Sequence, residues 1–109
     1  MTLPRWLLAL LLGVALAGGA LADNPVVSLS ISNGRFEPHE VTVPAGQKIE
    51  LHVHNADAKP VEFESAEMHR EKVVLPGKDI VLYVGPLRAG RYDFFDDFNP
   101  GNRGTLVAK

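Results

Sequence analysis

The sequence predicts an all-β fold, an antiparallel sandwich or barrel, on the basis of two patterns. From Val26 onward, apolar and polar residues alternate with a period of two, which is typical of strands with one buried face. The apolar segments are also short, and turn pairs such as Asn33-Gly34 and Pro76-Gly77 separate them without a long helical period between them. Together these patterns indicate a single domain built from strands.

The chain begins with the features of a secretory signal peptide. Arg5 precedes an uncharged apolar run that ends in the small-residue triplet Ala20-Leu21-Ala22, a typical cleavage site. The run is shorter than the ~20 apolar residues that a membrane-spanning helix needs, and its glycines weaken a helix further. We therefore predict a signal peptide over residues 1–22 and an exported domain over residues 23–109 that does not itself span a membrane.

Composition limits what the domain can do and how it is held together. The chain has 11 Lys and Arg residues against 13 Asp and Glu residues, and no basic stripe, so nucleic acid is not an expected partner. Small exported domains often rely on disulfides, yet this chain contains no cysteine. The domain must be stabilised by its core alone or with the help of a bound ion.

Two segments in the middle of the domain carry its chemically interesting side chains. The alternation predicts that His52 and His54 face outward from one strand, where a polar solvent-exposed face is a better interpretation than an ion site. It also predicts that Glu62 and Glu64 face outward from the next strand. Residues 65–70 fit no strand pattern and are expected to form a loop or one helical turn. Four further strands are predicted, at residues 72–75, 80–84, 92–95 and 105–107.

Several motifs resemble the two halves of a cupredoxin. The front half matches in the segments "FEP" at residues 36–38, "VTVPAG" at 41–46 and "IELHVHN" at 49–55; the back half matches in "YDFF" at 92–95 and "GTLV" at 104–107. The resemblance covers essentially the whole domain after the signal peptide, and it implies a Greek-key β-sandwich. A shared scaffold by itself does not imply a shared function.

The blue-copper members of that family place a histidine, a cysteine and a second histidine at positions that correspond here to Val61, Asp96 and Asn99. A soft thiolate with two imidazoles makes the blue-copper electron-transfer site. The sequence therefore indicates that this protein is not a blue-copper electron carrier.

Acidic residues replace the missing ligands. Oxygen ligands with a single imidazole suit harder or borderline ions such as iron, Cu(II) or Mn(II). We expect at least one of the glutamates to come within ~6 Å of the Asp96 or Asp97 carboxylate, close enough to share a cation. Arg70 and Lys72 offer an alternative, because they could neutralise the carboxylates without a metal. The predicted metal ligands are Glu62, Glu64, Glu67, His69, Asp96 and Asp97.

This acidic pattern resembles the cupredoxin-like proteins of bacterial periplasmic iron uptake, both EfeO-type proteins and small proteins encoded beside ferrous-iron permeases of the Ftr type. In that branch, metal binding is associated with a Glu-aromatic-Glu pair that maps onto Glu62 and Glu64, and with a strand-end residue that maps onto Asp96. Some members carry cysteine at that last position. The resemblance implies a periplasmic protein that binds an iron or copper ion and serves an inner-membrane iron permease as metal carrier or oxidation partner. A copper-dependent ferroxidase and a metal-free structural or interaction module are the alternatives.

Overall fold

The computed structural model describes residues 24–109, so the predicted signal peptide lies outside the described residues. The prediction of an all-β fold is confirmed, since this part of the chain contains nine strands and no helix. None of the described residues belongs to a helix that could cross a membrane. The strands are β1 (Val26–Ser32), β2 (Arg35–Glu37), β3 (Glu40–Val43), β4 (Ile49–Asn55), β5 (Val61–Ser65), β6 (Arg70–Val74), β7 (Asp79–Val84), β8 (Gly90–Asp96) and β9 (Asn99–Ala108).

The strands form two sheets that pack as a sandwich. The first sheet has the order β2-β1-β4-β7, and the second has the order β3-β9-β8-β5-β6. Most neighbouring strands are antiparallel, but β1 pairs with β4 and β3 pairs with β9 in parallel. The predicted sandwich is therefore confirmed, and two of its strand pairs are parallel where the sequence pattern indicated antiparallel strands. A hairpin forces antiparallel pairing only on strands joined by a short turn, and neither parallel pair is joined in that way.

Three phenylalanines form the aromatic part of the core between the sheets. The centre of the Phe94 ring lies 4.9 Å from that of Phe36 in an edge-to-face contact. It lies 5.3 Å from the centre of the Phe63 ring, on which it stacks. All three side chains are buried. Aromatic pairs in these geometries stabilise beyond the area they bury. Because Phe63 lies between Glu62 and Glu64, this packing fixes β5 and β8 and sends both glutamates to the outer face of the second sheet.

Gly104 permits a close approach of β9 to this aromatic core. A Cβ atom at this position would lie 2.4 Å from the Phe94 ring and 2.8 Å from the His39 carbonyl oxygen. Neither neighbour can move far, because the ring is fully buried and the carbonyl belongs to the backbone. Only glycine fits there.

The segment that fitted no strand pattern is the turn between β5 and β6, residues 66–69. The Ser65 hydroxyl, at the start of this turn, donates to the Asp93 carbonyl on β8 (2.7 Å) and accepts from the Met68 amide (3.2 Å). Met68 is buried, so the turn packs on the core. His69 ends the turn with a left-handed backbone (φ 55°), a conformation in which histidine is enriched among non-glycine residues.

Candidate metal centre

Three carboxylates meet on the outer face of the second sheet. One oxygen each from Glu62, Glu64 and Asp97 can be chosen so that all lie within 4.8 Å of one another. We call these three residues the acidic cluster. Alternation along β5 places the two glutamates on one face. Asp97 follows β8 directly, and its amide donates to the Glu62 carbonyl (2.9 Å), which holds its side chain beside the two glutamates.

The electrostatics of the acidic cluster favour a bound cation. Partial burial raises the pKa of Glu62 above its usual value, and its hydrogen bond to Asp97 and the negative charges of Glu71, Asp97 and Glu64 raise it further. The pKa of Glu64 is raised by burial and by the charges of Asp97 and Glu71. Each charged neighbour in these two shifts is another acid, and like charges oppose ionisation unless a cation neutralises them.

The lysine and arginine that were expected as an alternative to a metal do not neutralise the acidic cluster. Arg70 donates from Nε to the Tyr83 carbonyl (2.8 Å) and from Nη1 to the His69 carbonyl (2.9 Å), so its guanidinium binds backbone oxygens. Within residues 24–109, neither Arg70 nor Lys72 forms an ion pair with a carboxylate. Direct ion pairs from these two residues to the acidic cluster are therefore not found among the described residues.

His69 lines a pocket together with one member of the acidic cluster and a fourth acid. Glu71 is the cross-strand partner of Glu64 in the β5–β6 pairing. Glu64, Glu71 and His69 line one open pocket of about 330 Å³. Glu64 thus contributes both to the acidic cluster and to a pocket that holds an imidazole. Glu71 was missing from the predicted ligands because the strand register that places it opposite Glu64 is not visible in the sequence.

Asp96 does not join the acidic cluster. Its side chain is only 4% exposed, and its Oδ1 accepts from the amides of Glu62 and Phe98, each at 3.0 Å. Successive residues of a strand point to opposite faces, so Asp96 turns inward where Asp97 turns outward. The expected approach of an aspartate to the glutamates therefore occurs at Asp97, and the placement of both aspartates in one site is wrong.

Glu67 also lies outside the acidic cluster. Its Oε1 accepts from the Asp93 amide (3.1 Å) at a point where β5 has ended and no longer pairs with β8. The side chain thus satisfies a backbone donor that the sheet leaves open. Glu67 thus links the turn at residues 66–69 to β8. It does not join the three carboxylates with which the sequence prediction grouped it.

The three positions that the resemblance matches to blue-copper ligands surround a different cavity. Val61, Asp96 and Asn99 line a pocket of about 380 Å³, together with the exposed ring of Phe98. This pocket opens at one end of the sandwich, whereas the acidic cluster lies on the outer sheet face. Asp96 therefore lies at the end of the sandwich, away from the outer sheet face that carries the acidic cluster.

Comparison with known protein families identifies the scaffold. The model of the cupredoxin-like domain matches residues 5–108. The chain belongs to the cupredoxin-like domain family. An uncharacterised protein of Rickettsia prowazekii (strain Madrid E) is 44% identical over 73 residues, which cover 67% of this chain and 58% of that relative. The matched region is thus little more than half of the relative's length.

Solved structures of cupredoxins share the fold. The metal-binding domain of the Cu(I)-exporting P-type ATPase CopA of Streptococcus pneumoniae, solved with Cu(I), superposes with a TM-score of 0.71 at 15% identity, over 81% of this chain and 90% of that domain. Amicyanin of Paracoccus versutus gives 0.62 at 20% identity, over 83% and 87% of the two chains. A purple cupredoxin of Nitrosopumilus maritimus gives 0.60 at 15% identity, over 76% and 99%. At these identities the likeness establishes the fold.

Proposed function

We propose that the acidic cluster of Glu62, Glu64 and Asp97 binds an iron or copper ion, and that the protein acts in the periplasm in ferrous iron uptake. In this role it is the metal carrier or oxidation partner of an inner-membrane iron permease. One observation carries the proposal: three carboxylates lie within 4.8 Å of one another, with no lysine or arginine of the described residues paired to them. The predicted signal peptide supports the periplasmic location.

The donor set favours a hard or borderline ion. Carboxylate oxygens with one nearby imidazole, that of His69, suit iron and Cu(II). A copper–thiolate centre does not fit this chain, which has no cysteine. The residue matched to the thiolate position is Asp96, whose Oδ1 already accepts two backbone amides. The copper-binding proteins of similar fold support a metal-related role, and the three carboxylates support a site for it on the outer sheet face.

Metal titration with matched variants tests the proposal. The purified protein is titrated with Fe(II) without oxygen and, separately, with Cu(II). Glu64→Gln should weaken binding about tenfold or more, because it removes a charged ligand at nearly constant volume. Glu40→Gln makes the same charge change at a glutamate that is paired with Arg91 and lies outside the cluster, so it should bind as the wild type does. Equal affinities in all three proteins would refute the proposed site.

A metal-free interaction module is the second candidate function, and the environment of Asp96 favours it. Backbone amides engage the buried carboxylate from inside the protein, so this end of the sandwich is held together without an ion. This candidate predicts that a strain carrying Glu62→Gln, Glu64→Gln and Asp97→Asn together grows normally under iron limitation. Loss of growth in that strain, with normal protein levels, would exclude it.

A further inference from the structure

A third pocket lies between β2 and the start of β9, and its charge is opposite to that of the acidic cluster. It has a volume of about 580 Å³ and is lined by Arg35, His39, Asn102 and Arg103, with Glu37 as the one acid among its lining residues. We call it the basic pocket. The pocket is not visible in the sequence, because its two arginines come from strands that are distant in the chain.

The two arginines of the basic pocket have no acidic partner within the described residues. Neither Arg35 nor Arg103 forms an ion pair there, even though Glu37 lines the same pocket. The Arg103 guanidinium lies 5.2 Å from the centre of the Phe95 ring, a contact that orients the side chain without neutralising its charge. Two arginines without an ion pair thus line one cavity, which favours a positive potential there in a chain whose net charge is −2.

Asn102 contributes an unsatisfied donor to the wall of the basic pocket. Its side chain is 6% exposed, and its Oδ1 accepts the Phe36 amide (2.9 Å), which fixes the orientation of the amide group. Its Nδ2 is buried without a hydrogen-bond partner in residues 24–109. Buried polar groups are normally paired, so a buried N–H without an acceptor, beside two arginines, needs an explanation. An oxygen of a bound anion is the kind of acceptor that would satisfy it.

We propose that the basic pocket binds a small oxyanion with carboxylate or phosphate groups. Planar guanidinium groups match the geometry of both groups through paired N–H donors, and the Asn102 amide adds a neutral donor. The volume lies within the usual range of small-molecule sites, about 300–1,000 Å³, and so admits a ligand larger than a single ion. This site is independent of the acidic cluster, since it needs no metal and uses none of the three carboxylates.

Titration of the metal-free protein tests the anion site. After treatment with chelating resin, the protein is titrated with citrate in one arm and with inorganic phosphate in the other, while the backbone amide signals of Phe36, Asn102 and Arg103 are followed by NMR. We expect saturable shifts of these signals in at least one arm, and the arm with the tighter binding identifies carboxylate or phosphate as the preferred group. Absence of saturation in both arms up to about 10 mM, which is weaker than ordinary ligand affinities, would overturn the proposal.

Three variants show whether the basic pocket is responsible for the binding. Arg35→Gln should weaken binding about tenfold, and Asn102→Asp, which keeps the acceptor for Phe36 but adds a negative charge, should abolish it. Arg91→Gln is the control, because Arg91 is paired with Glu40 and does not line the pocket. Wild-type affinity in Arg35→Gln would overturn the proposal even if Asn102→Asp failed to fold, since Arg35 is an exposed residue. We expect metal binding to be unchanged in Arg35→Gln, which would show that the anion site is independent of the acidic cluster.

Discussion

The outer faces of the two sheets carry similar residues in different arrangements. On the first sheet, each outward histidine of β4 has a carboxylate partner: His52 Nε2 contacts Glu50, and His54 Nδ1 lies 2.6 Å from Asp79. On the second sheet, Glu62, Glu64 and Asp97 gather without any basic partner among residues 24–109. Histidine–carboxylate contacts thus pair the outward side chains of the first sheet, and Arg91 pairs with Glu40 on the second, but the carboxylates beside β5 have no such partner among the described residues.

This difference separates an ordinary polar face from a candidate site. Ion pairs at an exposed sheet face satisfy themselves and contribute little to stability. Negative charges that raise the pKa values of Glu62 and Glu64 cost stability in the ion-free protein, and a cation removes that cost. Perturbed pKa values of this kind are typical of functional sites. The interpretation of His52 and His54 as part of a polar solvent-exposed face agrees with their pairing.

The largest effect on stability is expected at Asp96, whose side chain points from the end of β8 into the interior of the sandwich. Asp96→Ala leaves the amides of Glu62 and Phe98 without their acceptor and should lower the free energy of unfolding by about 3 kcal/mol. Asp97→Ala, one residue further on, removes only a repelling charge from the outer face and should not destabilise the ion-free protein. Chemical denaturation of both variants measures the contrast. Equal losses would show that the two aspartates do not differ in role as the structure indicates.

Two substitutions, one on the outer face of each sheet, should have smaller effects on stability that are opposite in sign. Glu50→Gln removes the carboxylate that contacts the His52 imidazole and should lower the free energy of unfolding by no more than about 0.5 kcal/mol, the range of exposed charged pairs. Glu64→Gln should raise the denaturation midpoint of the ion-free protein, because it relieves repulsion from Asp97 and Glu71. Both midpoints come from the same urea titration. A lower midpoint for Glu64→Gln would remove the contrast between the two faces.

The pH dependence of stability should show the same repulsion. The raised pKa values of Glu62 and Glu64 mean that the folded chain binds protons more tightly there than the unfolded chain, whose glutamates have the ordinary value of 4.5. Their contribution therefore favours folding at low pH and is lost as pH rises through the raised pKa values. When the pH is lowered from 7 to 5, the double variant Glu62→Gln/Glu64→Gln should gain less stability than the wild type. The same gain in both proteins would contradict the raised pKa values.

The smallest effect is expected at His69. His69→Asn keeps a residue that tolerates the left-handed backbone of the turn, so stability should stay within about 0.5 kcal/mol of the wild type. Metal affinity should fall only about threefold, because the imidazole lies beside the acidic cluster and does not belong to it. Metal titration beside a denaturation curve checks both. A loss as large as that in Glu64→Gln would make His69 a principal ligand.

The sequence predicts most of the fold because the period-two pattern records which side chains are buried. It shows correctly that Glu62 and Glu64 face outward and that the strands are interrupted within residues 65–70, although the turn itself spans only residues 66–69. It does not show which strands are parallel, because pairing between distant segments leaves no local pattern.

The composition of the candidate site is only partly predictable for a related reason. Asp96 and Asp97 look equivalent in the sequence, yet one is a buried acceptor and the other belongs to the acidic cluster. Glu71 reaches Glu64 only through the register of β5 and β6. Arg35 and Arg103 come together only in the folded sandwich. Such groupings depend on the strand register and on which face of the sheet each side chain occupies. A register shift of one residue moves every side chain of a strand to the opposite face.

The most direct test of the central claim is a crystal structure of the protein grown with Fe(II) without oxygen, with anomalous scattering used to locate iron. We expect one iron peak on the outer face of the second sheet, with carboxylate oxygens of Glu62, Glu64 and Asp97 at about 2–2.3 Å. The same experiment on Glu64→Gln should show the peak weakened or absent. A peak at Asp96 inside the end pocket, or none near the three carboxylates in fully loaded crystals, would contradict the account.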